Sequence, residues 1–115
     1  MTTFKIPPEK TALAEETFRI FRVGDGVELV CADAVKCVPA MNNSAFCFMD
    51  AEKETCHDLY ELVVPCMTAG GLFVADNAVN HEATVRPMLD RAPGDRRVDA
   101  IVAPVGKGDL AWRKL

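Results

Sequence analysis

Two apolar runs in this chain end abruptly in an acid. Ala45-Phe46-Cys47-Phe48-Met49 stops at Asp50, and Leu72-Phe73-Val74-Ala75 stops at Asp76, which Asn77 follows. Short apolar runs bounded by polar residues read as buried strands, and in an open α/β sheet ligands bind beyond the carboxyl ends of the strands. If the two strands are neighbours, their tips lie about 5 Å apart, so two carboxylates and a carboxamide oxygen could converge on one hard divalent cation. Lys53, one turn beyond Asp50, could then act as a base, because a nearby cation and burial lower the pKa of a lysine. The alternative is plain capping: Asp is favoured at helix N-caps, and both acids precede segments of helical pattern.

The elements that would position these residues follow from periodicity and punctuation. Thr2 to Ile6 is a β-prone run closed by Pro7-Pro8, and from Glu9 the residues Ala12, Leu13, Ala14, Phe18, Ile20 and Phe21 fit a helical stripe that Gly24-Asp25-Gly26 should stop. Pro8 suits a first helical turn. Val27 to Ala32 reads as a second strand, apolar enough to be buried on both faces, with Asp33 at its end. Ala34 to Met41 is a short helix or turn and Asn42-Asn43-Ser44 a loop. Glu52 to Met67 carries Leu59, Leu62, Val63 and Met67 at helical spacing, and Gly70-Gly71 supplies a turn before the Leu72 strand. Asn80 to Ala92 looks helical with an irregular centre at Pro87. Val98 to Ala103 and Asp109 to Arg113 form a hairpin-like pair. Strands alternating with helices indicate a parallel α/β sheet with an antiparallel strand at its end.

Composition narrows the classes. A chain of 115 residues, half of them apolar, has material for one core. Thirteen Lys and Arg against seventeen Asp and Glu give a net charge of −4, without the basic patch that nucleic acid requires. No apolar stretch reaches the roughly 20 residues of a membrane span. The N-terminal residues lack the pattern of a secretory signal, so a cytosolic protein is expected. The five cysteines, 31, 37, 47, 56 and 66, contain no C-x-x-C pair and read as structural free thiols rather than zinc ligands. His57 and His81 read as surface or structural residues, and Trp112 as packing for the last strand.

The run Phe46-Cys47-Phe48-Met49-Asp50-Ala51-Glu52-Lys53, then Tyr60-Glu61-Leu62 through Pro65, then Gly70-Gly71-Leu72-Phe73-Val74-Ala75-Asp76-Asn77, resembles the cation-dependent S-adenosylmethionine O-methyltransferases related to catechol and caffeoyl-CoA O-methyltransferases. Arg97-Val98-Asp99, Pro104-Val105-Gly106-Lys107-Gly108 and Arg113-Lys114-Leu115 resemble that family's C-terminal hairpin. The resemblance implies a Mg²⁺ held by Asp50, Asp76 and Asn77, and Lys53 as general base toward the acceptor hydroxyl. It also implies Asp33 on the adenine side of the cofactor, with Asp50 in the cofactor-binding set as well. The implied fold is a truncated Rossmann-like methyltransferase sheet, mostly parallel with a C-terminal antiparallel hairpin, in one domain over residues 1–115. The implied reaction is Mg²⁺-assisted methyl transfer from S-adenosylmethionine to a small hydroxylated acceptor.

The departures from the family pattern are specific. Its first strand and Gly-rich cofactor loop have no counterpart, since no G-x-G-x-x-G-like segment occurs. Where its second strand ends in an acid that holds the ribose hydroxyls, this chain has Lys5, then Pro7; a carboxylate accepts hydrogen bonds and an ammonium accepts none. Losing a central strand leaves backbone groups unpaired at about 1–3 kcal/mol each. Either the Phe4 strand closes up beside the Phe46 strand, or a second chain completes the sheet, as a homodimer or with a different partner. The competing reading is a catalytically inactive methyltransferase-like scaffold or binding protein.

Overall fold

The computed structural model describes residues 1–76, 82–105 and 108–115; the side chains of Lys53, Glu82, Thr84 and Val85 are outside the described set. The chain forms two compact units, Met1–Cys37 and Val38–Leu115. No helix among the described residues is long and apolar enough to cross a membrane.

The first unit is a β-α-β arrangement. Strand β1 (Thr2–Lys5) and strand β2 (Glu28–Cys31) pair in parallel, Thr2 opposite Glu28 and Lys5 opposite Cys31, with helix α1 (Pro8–Ile20) between them in sequence. Pro8 sits in the first turn of α1, where its missing N–H costs nothing, and the Thr11 hydroxyl donates to the Pro7 carbonyl at 3.2 Å. The helix ends before the glycines expected to stop it. Arg22 takes φ 54, and the N–H groups of Arg22 and Val23 return to the carbonyls of Arg19 and Phe18 at 3.3 and 3.0 Å. This is the reverse turn that commonly closes a helix, here with Arg in the left-handed position. Gly24–Gly26 forms a separate 3-10 turn. In β2, Leu29 and Val30 are half-buried while Glu28 and Cys31 are exposed, so the expected burial on both faces is not met: a two-stranded sheet is too narrow to enclose a strand. Helix α2 (Ala34–Cys37) closes the unit.

The second unit holds a four-stranded sheet. Strand β3 (Ser44–Met49) runs parallel to strand β4 (Met67–Ala75), which pairs antiparallel with strand β6 (Asp109–Lys114), and β6 pairs antiparallel with strand β5 (Val98–Ala103), giving the order β3-β4-β6-β5. Helix α3 (Cys56–Cys66) connects β3 to β4, and helix α4 (Glu82–Arg91) precedes β5. The expected C-terminal hairpin is present.

Gly70-Gly71 is not the turn its composition suggests. Met67 already belongs to β4, and the register jumps from Ser44 opposite Met67 to Phe46 opposite Leu72, so the glycines form a bulge inside one strand. Gly70 has φ 79. A Cβ on Gly71 would lie 2.9 Å from the Thr68 carbonyl oxygen and 3.2 Å from that of Ser44, so only glycine lets the two backbones approach this closely.

Below the bulge the register makes two rows across the sheet. Cys47, Phe73, Trp112 and Ala100 share one face, and Phe46, Leu72, Arg113 and Asp99 share the other. The first face is the core: Phe73 stacks on Trp112 at 4.6 Å and 9°, and Tyr60 from α3 meets Trp112 edge-on at 5.7 Å and 81°. Met49, Leu59, Val64, Met88 and Leu110 complete it. Trp112 is buried here, in line with a packing role. Phe46 and Phe48 are each 58% exposed. Their run was expected to be a wholly buried strand; instead, among the described residues, β3 pairs with β4 and exposes these two phenylalanines, because the apolar run marks it as a strand without fixing what lies on its second side.

Candidate metal-binding edge and the family of the fold

The parallel pairing of β3 and β4 brings their carboxyl ends level. Met49 stands opposite Ala75, and the N–H of Asp76 donates to the Met49 carbonyl at 3.1 Å, extending the ladder one step beyond the strands. Asp50 and Asp76 are therefore the first residues off two adjacent strand tips, at an interstrand spacing of about 4.8 Å. Asp50 is exposed and Asp76 half-buried. Neighbouring strands were the condition attached to the sequence argument, and it holds.

α3 begins at Cys56 with Thr55 at its N-cap, after a 3-10 turn over Lys53–Thr55 whose Thr55 N–H donates to the Glu52 carbonyl at 3.0 Å, so Asp50 is not the N-cap of α3. The capping reading of Asp76 falls on residues 77–81, which lie outside the described residues. Lys53 opens the 3-10 turn that leaves the β3 tip, and its side chain is outside the described set. Asn77, His81 and the Gly106-Lys107 part of the tail motif also lie outside the described residues. Among the described residues, no group of three or more His, Cys, Asp or Glu is arranged to hold a metal ion, so a cation at this edge would have two carboxylates from the described chain.

Asp33 belongs to the first unit, at the end of β2. Its Oδ1 accepts the Val35 N–H at 3.0 Å and its carbonyl accepts the Lys36 N–H at 3.1 Å, so it caps α2. Lys5, at the end of β1, is exposed.

A second group of charged residues escaped the sequence reading. Asp95, buried after α4, accepts the Tyr60 hydroxyl at 2.9 Å. Arg97 Nη2 donates to Asp95 Oδ2 at 2.6 Å and to Glu61 Oε2 at 2.7 Å, while Arg91 Nε donates to Glu61 Oε1 at 3.0 Å. Hydrogen bonds from Arg97 hold the Asp95 carboxyl well below the usual carboxylate range, against the opposing effect of burial. Burial, and then the hydrogen bond to Asp95, push the Tyr60 phenol far above its ordinary value. The flanking of Asp95 by Arg91 and Arg97 was a sequence signal, but nothing in the chain order announces Tyr60 and Glu61 as their partners. Every strong acceptor in the group is committed, which makes it a staple between α3 and the loop before β5.

The cysteines fit the structural reading. All five are free thiols, and burial raises the Cys47 thiol to about 11, far from a reactive thiolate. His57 is half-buried, with Nδ1 enclosed and without a hydrogen-bond partner among the described residues.

The family profile described as O-methyltransferase matches residues 1–114. The chain belongs to the O-methyltransferase family. Its fold is that of solved methyltransferases. One similar structure is the SAH-bound methyltransferase PaMTH1 of Podospora anserina, with TM-score 0.86 and 19% identity, covering 99% of this chain and 60% of that one. A methyltransferase from Geobacter sulfurreducens gives TM-score 0.81 and 23% identity, over 99% of this chain and 57% of that one. A putative caffeoyl-CoA O-methyltransferase from Staphylococcus aureus gives TM-score 0.77 and 14% identity, over 99% and 64%. A search among curated proteins finds no match. This O-methyltransferase-family chain thus has a truncated Rossmann-like fold and spans about three-fifths of the solved chains it resembles.

Proposed function

We propose that this chain forms the metal- and acceptor-holding edge of an O-methyltransferase that moves a methyl group from S-adenosylmethionine to a small hydroxylated acceptor. The observation that carries this reading is the level pairing of β3 and β4, with Asp76 N–H bonded to the Met49 carbonyl and Asp50 beside it. Membership of the family and the solved SAH-bound relative support it.

The donor set suits a hard divalent cation. Mg²⁺ is commonly held by one or two carboxylates with water completing the octahedron, and Asp50 and Asp76 offer those two; by resemblance Asn77 adds an amide oxygen. A bound cation would supply Lewis acidity toward the acceptor hydroxyl, and S-adenosylmethionine would supply the electrophilic methyl group. The chain's own contribution is to orient the acceptor at the strand tips and to take its hydroxyl proton. Lys53 Nζ has that role by resemblance, and it must be in the amine form, which desolvation and nearby positive charge favour.

The first unit fits the cofactor less well. Lys5 ends β1 where the family pattern calls for a ribose-binding acid, and an ammonium cannot accept the ribose hydroxyls. Asp33 Oδ1 already accepts a backbone N–H. This favours, as a second reading, a methyltransferase-derived scaffold that keeps the cation edge without catalysis. The free, disulfide-less cysteine set suits a cytosolic location under either reading.

Calorimetric titration with Mn²⁺, then with S-adenosylmethionine and S-adenosylhomocysteine with and without Mg²⁺, tests both parts. A cation isotherm abolished in the Asp50→Ala, Asp76→Ala double variant supports the edge, and an isotherm unchanged in that variant removes it. Micromolar cofactor binding supports the enzyme, whereas none at millimolar ligand leaves the scaffold.

A further inference from the structure

We propose that Thr55 is a positioning residue for the cation edge: its hydroxyl holds the Glu52 carbonyl and so fixes the short segment that carries Asp50 off β3 and from which Lys53 departs. The inference rests on the metal-edge reading and extends it from the acids at the strand tips to the residue that keeps one of them in place.

The two acids are held by different means. Asp76 still belongs to the ladder, since its N–H donates to the Met49 carbonyl at 3.1 Å. Asp50, Ala51 and Glu52 lie in no helix or strand. A carboxylate on such a segment loses backbone freedom when it joins a second carboxylate around one cation, a cost that a segment already ordered does not carry.

The order of this segment comes from its far end. The Glu52 carbonyl accepts the Thr55 N–H at 3.0 Å, the Thr55 hydroxyl at 2.8 Å and the Cys56 thiol at 3.6 Å. The N–H bond is the ordinary closure of a 3-10 turn, and a thiol is a weak donor. The hydroxyl bond is the shortest of the three and is the contribution of the side chain alone. Because the Glu52 carbonyl carbon is bonded to the Lys53 nitrogen, fixing that oxygen fixes the peptide plane from which Lys53 departs, and it anchors the chain two residues beyond Asp50. Asp50 thus stands between two fixed points, the β3–β4 ladder at Met49 and the Thr55 clamp at Glu52.

The place of Thr55 in the chain gives this bond its meaning. Thr55 is the N-cap of α3, where a threonine oxygen ordinarily accepts a backbone N–H of the first turn. It makes no such side-chain bond, and its φ −95 and ψ −5 are helical rather than the extended backbone of a cap. The hydroxyl donates back toward the β3 tip instead of accepting from α3. A hydroxyl that served the helix would show its loss in stability, whereas one that serves the segment before it shows its loss in what that segment binds.

Thr55→Val keeps the side-chain shape and the N–H bond and removes the hydroxyl, and Thr55→Ser restores a donor. With each full-length variant checked for native circular dichroism, calorimetric titration with Mn²⁺ is expected to show several-fold weaker binding in Thr55→Val and native affinity in Thr55→Ser. Hydrogen exchange at the amides of residues 51–55 should quicken in Thr55→Val and return in Thr55→Ser. Equal Mn²⁺ affinity in the native and Thr55→Val chains overturns the proposal, as does a loss that Thr55→Ser does not repair. A urea midpoint lowered in Thr55→Val at unchanged affinity assigns the hydroxyl to the helix and overturns it as well. Mn²⁺ binding that the Asp50→Ala, Asp76→Ala double variant abolishes and Thr55→Val leaves intact removes the role of Thr55 alone, whereas a native chain that binds no Mn²⁺ removes the metal-edge reading and this inference with it.

Discussion

Asp95 and the pair Asp50 and Asp76 are the same side chain put to opposite uses within one unit. Asp95 is buried and receives hydrogen bonds from Tyr60 and Arg97 together. Asp50 and Asp76 stand at the ends of two level strands, one exposed and one half-buried. The difference teaches that donors converging on a buried carboxylate turn it into a structural part, whereas two carboxylates at level strand tips stand side by side, the arrangement a shared ligand needs. Burial alone would have ranked Asp95 as the functional residue; its partner list argues the reverse.

Asp95→Ala breaks the comparison at its strongest point. It leaves Tyr60 and Arg97 without their shared acceptor and should cost about 2–3 kcal/mol, below the 3–5 of a fully buried pair because the Arg97 side chain is 34% exposed. Urea denaturation measures it, and a cost under about 0.5 kcal/mol would demote the group to surface decoration. Cation affinity at the other site should not change.

The bulge comes next, because it connects stability to the edge. Gly71→Ala places a methyl against two backbone oxygens and should cost about 1–3 kcal/mol. Since the register below the bulge sets Met49 opposite Ala75, the same change should weaken Mn²⁺ binding. Lost stability with intact cation affinity would separate the bulge from the site.

Acid sharpens the contrast further. The folded-state pKa of Asp95 is depressed, so its ionised form stabilises the native state above the unfolded value near 4. That contribution is lost as pH falls from there toward the folded pKa. Glu61 acts in the same direction, the pull of Arg97 and Arg91 outweighing burial. The urea midpoint should drop below about pH 4 in the native chain and drop less in Asp95→Asn.

The smallest effect on stability is expected at the edge itself. Asp50→Asn with Asp76→Asn should abolish the cation isotherm while costing less stability than Asp95→Ala. A large destabilisation there would mean that the two acids are structural after all.

Much of the second unit was legible in advance. The apolar run to Asp50, the run to Asp76 and the hairpin after Val98 were found within a few residues, because a hydrophobic period and a terminating polar residue are local properties. Gly70-Gly71 misled, since glycine pairs serve turns and bulges alike and only the neighbouring strand's backbone at Ser44 decides between them. Phe46 and Phe48 misled for a similar reason: apolar residues in a run indicate a strand, and whether the second face meets a helix is a matter of what else is present.

The sequence by itself determined the order of elements, the two acids at strand ends and the family, all of which depend on residues close together in the chain. Only the tertiary structure decided that β3 and β4 lie side by side with their tips level, that Tyr60 and Glu61 reach across to Asp95 and Arg97, and that Phe73 is enclosed while Phe46 and Phe48 are exposed. Those outcomes depend on contacts between residues far apart in the chain, which local propensity does not encode and packing enforces.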